Sequence, residues 1–211
     1  MFDFFVGKDV AIVGGAGGLF NSNLGNKIDA HQIVIRINRG ILIKDEKHQG
    51  KKIDYWAYPN PSKIWDIHGK FKYKTIHLDK LRRDYYNYEK WKGIETDYYI
   101  PIEIIDELYD AKIKYGKSNS KNITDKPSSG LNLLYYLTKC NTEKITLYGF
   151  DWKKTGTWYD HKANRRNLDH NWNAEEKFIK QELIKKYNIE IVKCKDTNIK
   201  YVFEDCFFKE K

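Results

Sequence analysis

Cysteine is scarce in this chain and poorly placed for cross-linking. Cys140, Cys194 and Cys206 are an odd number at wide spacing with no C-x-x-C pair, which favours neither a disulfide framework nor a zinc site. A reducing compartment fits such usage. No apolar run approaches the roughly 18 residues that a membrane-spanning helix needs. The opening MFDFFVGKDV has an acidic residue and no basic stretch ahead of its apolar positions, unlike a secretory signal. The expectation is a cytoplasmic protein, soluble or peripheral at the inner membrane face. Internal repeats and low-complexity segments are lacking, and so is any D-x-D, a common carboxylate pair for a divalent ion on a diphosphate.

What is abundant is positive charge and aromatic surface. Lys and Arg total 38 against 29 Asp and Glu, a net charge of +9, with 41% hydrophobic and 15% aromatic residues. That composition suits a folded globule with an anionic partner. At 211 residues one domain with a real core is expected, spanning 1–211.

The organising stretch runs from Val10 to Arg39, VAIVGGAGGLFNSNLGNKIDAHQIVIRINR. Apolar Val10 to Val13 leads into Gly14, Gly15, Ala16, Gly17 and Gly18, and a second apolar run, Ile33 to Ile37, follows after about one short helix. Glycines there permit positive φ and let a phosphate reach main-chain amides. A dinucleotide site expects an acidic residue about 20 positions on, whereas this chain offers Arg36, Asn38 and Arg39. An anionic nucleotide held by amide and guanidinium donors fits better than NAD.

Further along, Lys52 to Pro59, Tyr73 to Leu78 and Tyr98 to Ile100 read as strands. Helices are expected over Asp79 to Trp91 and from Pro101 to about Lys114, with Pro101 in the first turn. Gly116 to Lys126 is the most polar stretch and reads as a loop beside the site. PSSGLNLLYYLTKC starts a helix capped by Ser128 or Ser129, with Leu131, Leu134, Tyr135 and Leu137 or Thr138 on a buried side. Ile145 to Phe150 reads as a strand, Asn171 to Tyr187 as a helix, and Ile189 to Val192 as a last strand. The alternation predicts an α/β fold, a single-domain Rossmann-like α/β/α sandwich with a mainly parallel sheet. Ligands in such sheets sit at the carboxyl ends of the strands.

Four segments carry a family resemblance. Gly14, Gly17, Leu19, Ser22, Gly25, Ile28, Asp29, His31, Val34, Arg36, Asn38 and Arg39 resemble, in register, the large sialylmotif of glycosyltransferase family 29, the sialyltransferases that use CMP-sialic acid. Gly15 and Gly18 stand where that motif has asparagines. Ser128, Ser129 and Gly130, the helix after them, and Tyr148, Gly149 and Phe150 resemble the small motif, which binds the nucleotide. Cys140 also matches, but the position of its disulfide partner is Val10 here. Thr157 to His161 is similar to a short motif of a histidine, two aromatics and an acid. Thr157 occupies the histidine position, His161 is a substitute from its neighbourhood, and Tyr159 and Asp160 align as acceptor-binding or supporting residues. His170 and Glu175 have the spacing of the very small motif, whose histidine is the catalytic base.

The resemblance implies a GT-A-like sialyltransferase variant that moves a nonulosonic acid from a CMP-sugar to a glycan or glycolipid acceptor, in lipooligosaccharide or capsule biosynthesis. His170, Glu175 and His161 would be catalytic. Gly14, Gly15, Gly17, Asn38, Ser128, Ser129, Gly130, Tyr148, Gly149 and Phe150 would hold the donor. CMP leaves as a phosphate monoester of pKa about 6, so amides and hydroxyls can carry the developing charge, and no metal or other cofactor is expected. The excess of basic residues would also permit peripheral membrane association. Three other readings compete: transfer of another cytidylyl-activated group onto surface polysaccharide, nucleic-acid binding through Lys80 to Lys92, and an NADP oxidoreductase using Arg36 or Arg39. The basic stretch reads better as a solvated helix face, so nucleic acid is not expected.

Overall fold

The structure is a computed structural model that describes residues 3–58, 74–78, 97–117, 125–152, 154 and 170–194. The helix expected over Asp79 to Trp91, the basic stretch Lys80 to Lys92, and Thr157, Tyr159, Asp160 and His161 lie outside the described residues, as does most of the polar Gly116 to Lys126 stretch.

Among the described residues seven strands form one sheet: β1 (Asp9–Val13), β2 (Ile33–Ile37), β3 (Tyr55–Tyr58), β4 (Lys74–His77), β5 (Tyr98–Tyr99), β6 (Lys144–Tyr148) and β7 (Ile189–Ile191). Their order is β5-β4-β3-β2-β1-β6-β7, and all six pairings are parallel. The chain steps outward from β1 to β5, then returns to β1's other side with β6. The order therefore reverses between β1 and β6, the place where parallel sheets leave a crevice at the strands' carboxyl ends.

Strand alternation assigns each residue to a layer. Val10 and Ile12 of β1, Ile35 and Ile37 of β2, and Ile145 and Leu147 of β6 join the larger core cluster. That face is covered by α3 (Ile102–Ile113), α4 (Ser129–Thr138) and α5 (Trp172–Phe178), which contribute Leu108, Leu131, Leu134 and Phe178. Ala11, Val13, Val34 and Tyr148 point the other way and pack with Leu19, Leu24 and Ile28. These last come from the 3-10 turn Gly17–Asn21 and from α1 (Gly25–Asp29), with the stretch between them. The sandwich expected from the alternation of elements is the one observed.

Four details differ from the sequence reading. Helix α4 is buried at every position from Leu131 to Thr138, because the sheet, α3 and α5 surround it, whereas periodicity suggested one buried side. Pro101 caps α3 from outside the helix. The helix read over Asn171 to Tyr187 passes through a π-helical turn, Ile179–Leu183, before its last short piece α6 (Ile184–Lys186). Finally, β6 stops at Tyr148, since Gly149 takes φ 68°. In an unbroken strand residues 148 and 150 would share a face. The glycine reverses this, sending Tyr148 to one layer and Phe150 to the other.

Candidate active site

Most of the motif that follows β1 builds architecture. Gly25 lies so close to α2 (Glu46–Gln49) that an added Cβ would sit 1.9 Å from the Glu46 carbonyl oxygen. Asp29 accepts from the amides of Lys51 and Lys52 at 2.9–3.0 Å, and Ser22 donates to the Leu19 and His48 carbonyls. Arg36, fully buried, donates from Nε to the Lys52 carbonyl (3.0 Å) and from one terminal nitrogen to the Gln49 carbonyl (2.9 Å). These bonds fix the segment after α2 beneath β2. They also commit Arg36, one of the two guanidiniums, with Arg39, that an NADP reading would use.

The glycine turn is stitched to the end of β6. Gly14 N–H donates to the Tyr148 carbonyl (2.8 Å) and Ala16 N–H to the Gly149 carbonyl (3.1 Å). A Cβ on Gly14 would stand 2.6 Å from the Gly149 oxygen and 3.1 Å from the Phe150 ring. Close packing of two strand ends thus demands glycine at 14, and the amides of residues 14 and 16 are already bonded within the protein. Gly15 is half-buried, while Gly17 and Gly18 are buried where the 3-10 turn begins. Asn38 follows β2 at φ 52°, a left-handed conformation that asparagine tolerates, and its carbonyl accepts from Trp56 Nε1 at 2.8 Å.

Helix α4 arrives at the same edge. Ser128 is its cap, with Oγ accepting from Leu131 N–H. Behind the cap stands Glu175 of α5, only 2% exposed. One carboxylate oxygen accepts from the Ser128 amide and the other from the Ser128 hydroxyl, both at 2.7 Å. Burial pushes the Glu175 carboxyl up to about 7, against the opposing pull of the Ser128 bonds and of Lys112. Ser129 and Gly130 occupy the first turn, where helix amides lack intrahelical acceptors and the dipole favours an anion. Phe150 is wedged between the two turns: its ring would lie 3.1 Å from a Cβ on Gly14 and 2.7 Å from one on Gly130.

His170 precedes α5, half-buried, and its Nδ1 lies 2.9 Å from the Lys126 carbonyl, with the Trp172 ring edge-on at 5.1 Å. A carbonyl can only accept, so Nδ1 carries the proton and Nε2 is the basic nitrogen. Asn171 caps α5 through Ala174 N–H and donates to Gly116 O and Asp125 Oδ1.

The structure thus brings Gly14, Gly130, Phe150, Ser128, Glu175 and His170 to one edge. Tyr148 departs from the donor role read for it. Its hydroxyl lies 2.8 Å from His31 Nε2 in the opposite layer, and burial first of all pushes its pKa up to about 12. Only its backbone carbonyl belongs to the cleft edge. Cys140 and Val10 are both fully buried core residues, with no disulfide among the described residues. Sequence reasoning missed Lys112 and Asn171, because a lysine near a helix end reads as solvated and an asparagine before a helix as a simple cap.

A parallel sheet whose order reverses between β1 and β6, with a glycine turn on one side and a helix start on the other, defines a Rossmann-like α/β class of fold. Within that class, residues 8–95 match the family model of Glycosyltransferase family 29 (sialyltransferase). Across 167 residues the chain is 23% identical to mouse CMP-N-acetylneuraminate-beta-galactosamide-alpha-2,3-sialyltransferase 2, covering 74% of this chain and 47% of that protein. The chain therefore spans about half the length of this curated relative. The sialyltransferase CstII from Campylobacter jejuni, solved with the substrate analogue CMP-3FNeuAc, superposes with a TM-score of 0.55 at 16% identity, over 91% of this chain and 84% of that one. A mammalian sialyltransferase in complex with Gal-beta-1-3GalNAc-ortho-nitrophenol gives 0.55 at 19% identity, over 89% and 70%. Sequence and fold agree in what the chain is similar to: a sialyltransferase family model over residues 8–95, which hold the glycine turn, and sialyltransferase structures in fold.

Proposed function

We propose that this chain is a CMP-sugar-dependent glycosyltransferase that moves a nonulosonic acid onto a hydroxyl of a glycan acceptor. The observation that carries the reading is the meeting of two sequence-distant turns, one after β1 and one at the start of α4, through the Phe150 ring, with His170 at the Lys126 carbonyl two residues before Ser128. Structural neighbours crystallised with CMP and with a CMP-sugar analogue lend the donor class its support.

The reaction is a single displacement with inversion. The acceptor oxygen bonds to the anomeric carbon of the donor sugar while the bond from that carbon to the phosphate oxygen breaks, and the electron pair leaves on CMP. Nε2 of His170 takes the acceptor proton, because Nδ1 is committed to the Lys126 carbonyl. The first-turn amides of α4 and its dipole, with Asn38 at the end of β2, meet the charge growing on the phosphate. A monoester leaving group served in this way needs no divalent ion. Glu175 acts through Ser128, as a positioning residue.

A calorimetric titration with CMP, repeated on His170→Ala, tests the assignment. The variant should bind CMP with unchanged affinity and lose transfer by a factor of about 10² to 10⁴. Unchanged turnover removes His170 from the role of base, and a wild-type chain that ignores CMP removes the donor class.

A further inference from the structure

Lys112 is buried without trace of solvent exposure near the end of α3. A fully buried lysine is rare unless its charge is answered. Its ammonium donates to the Asp125 main-chain carbonyl at 2.7 Å, and the charges acting on it are Glu175 and Asp125. The segment 125–128, which enters α4, is thereby held on both sides. Lys112 from α3 takes the Asp125 carbonyl, Asn171 takes the Asp125 carboxylate, His170 takes the Lys126 carbonyl, and Glu175 takes the amide and hydroxyl of Ser128. Four side chains, Lys112 and Glu175 from two helices and His170 and Asn171 from the stretch that leads into α5, hold Asp125, Lys126 and Ser128. Two of the four, Lys112 and Glu175, are buried titratable groups, one basic and one acidic.

We propose that Lys112 is a positioning residue of the site: its ammonium anchors the 125–128 turn and keeps Glu175 an acceptor, so that the start of α4 and the ring of His170 stay aligned. The inference rests on the proposed CMP-sugar reading for its functional consequence. Without the cation, the Glu175 carboxylate is left uncompensated in the interior and takes up a proton. A protonated carboxyl accepts at one oxygen and donates from the other, so the Ser128 hydroxyl must turn from donor to acceptor while it also accepts from Leu131 N–H, and the turn that carries Lys126 is held less tightly. The charged group acting on Glu175 is Lys112 from α3, and the other titratable groups bonded along the same turn are Asp125 and His170.

The test is the pH dependence of CMP affinity from pH 6 to 9 in wild type and in Lys112→Met. The wild-type affinity should rise with pH as Glu175 loses its proton. In the variant this rise should be displaced to higher pH, leaving affinity about tenfold weaker at pH 7 and largely recovered at pH 9. A folded Lys112→Met with wild-type affinity, or one that melts earlier but keeps the wild-type pH midpoint, overturns the proposal in favour of a purely structural lysine. If Lys112→Met does not fold, the double variant with Glu175→Gln removes both buried charges together. It should bind CMP weakly and without pH dependence, and wild-type behaviour in that chain overturns the inference. Should wild type itself not bind CMP, the transferase reading falls, while the clamp is still read from the Ser128 amide resonance. Its titration midpoint moves upward in Lys112→Met if the clamp is real and stays in place if it is not.

Discussion

At the scale of single residues, the most consequential group is Glu175, because its burial and its bonds pull in opposite directions. Its carboxyl titrates near 7 in the folded chain against 4.5 for the ordinary group. A carboxyl raised on folding favours the native state at acid pH, and that contribution disappears as pH rises from about 4.5 through about 7. The size of the effect is on the order of 3 kcal/mol. The melting temperature should accordingly fall between pH 5 and pH 8, and Glu175→Gln, which cannot ionise, should flatten this slope. A slope that persists in Glu175→Gln means that the pH dependence lies elsewhere. The spacing of His170 and Glu175 was visible in the sequence. That the histidine would face a backbone carbonyl and the glutamate would vanish beneath a helix cap was not, because five residues at a helix start fix neither burial nor partner.

At the scale of elements, the site depends on how closely two strand ends and one helix start approach. Phe150 fills the space that Cβ atoms on Gly14 and Gly130 would need, so these glycines are packing requirements. Gly130→Ala should lower stability by about 1–3 kcal/mol through overpacking. Adding Phe150→Leu to the same chain should return part of the loss, and denaturant titration of both chains checks it. If the second substitution deepens the loss, the ring is not the obstacle. Strands β1 and β2 were readable from their apolar runs, as was the start of α4 from Ser128. The end of β6 was not, since its termination hangs on a glycine φ that no local pattern announces. The all-round burial of α4 likewise came from its neighbours, with Asn132 and Thr138 buried beside its leucines.

At the scale of the molecule, the order β5-β4-β3-β2-β1-β6-β7 puts its reversal between β1 and β6, and a nucleotide seated there would bridge segments more than 100 residues apart. Binding to the native state alone should stabilise it by about 2.7 kcal/mol when CMP is a hundredfold above its dissociation constant. In a thermal shift experiment the gain should be equal with and without a chelator. A shift abolished by chelation counts against the metal-independent reading. Among the described residues no helix is long and apolar enough to cross a membrane.

By itself the sequence determined the layer architecture, because alternating apolar runs and amphipathic stretches leave a parallel sheet few alternatives. It also singled out a glycine turn, a helix cap and a histidine that the fold brings to one edge. Only the tertiary structure decided which of those residues meet at the edge of the sheet and which hold the frame. Arg36 and Tyr148 went to the frame, and Lys112 entered the site's support, because burial and partner are properties of the space between elements and have no counterpart in the order of residues along the chain.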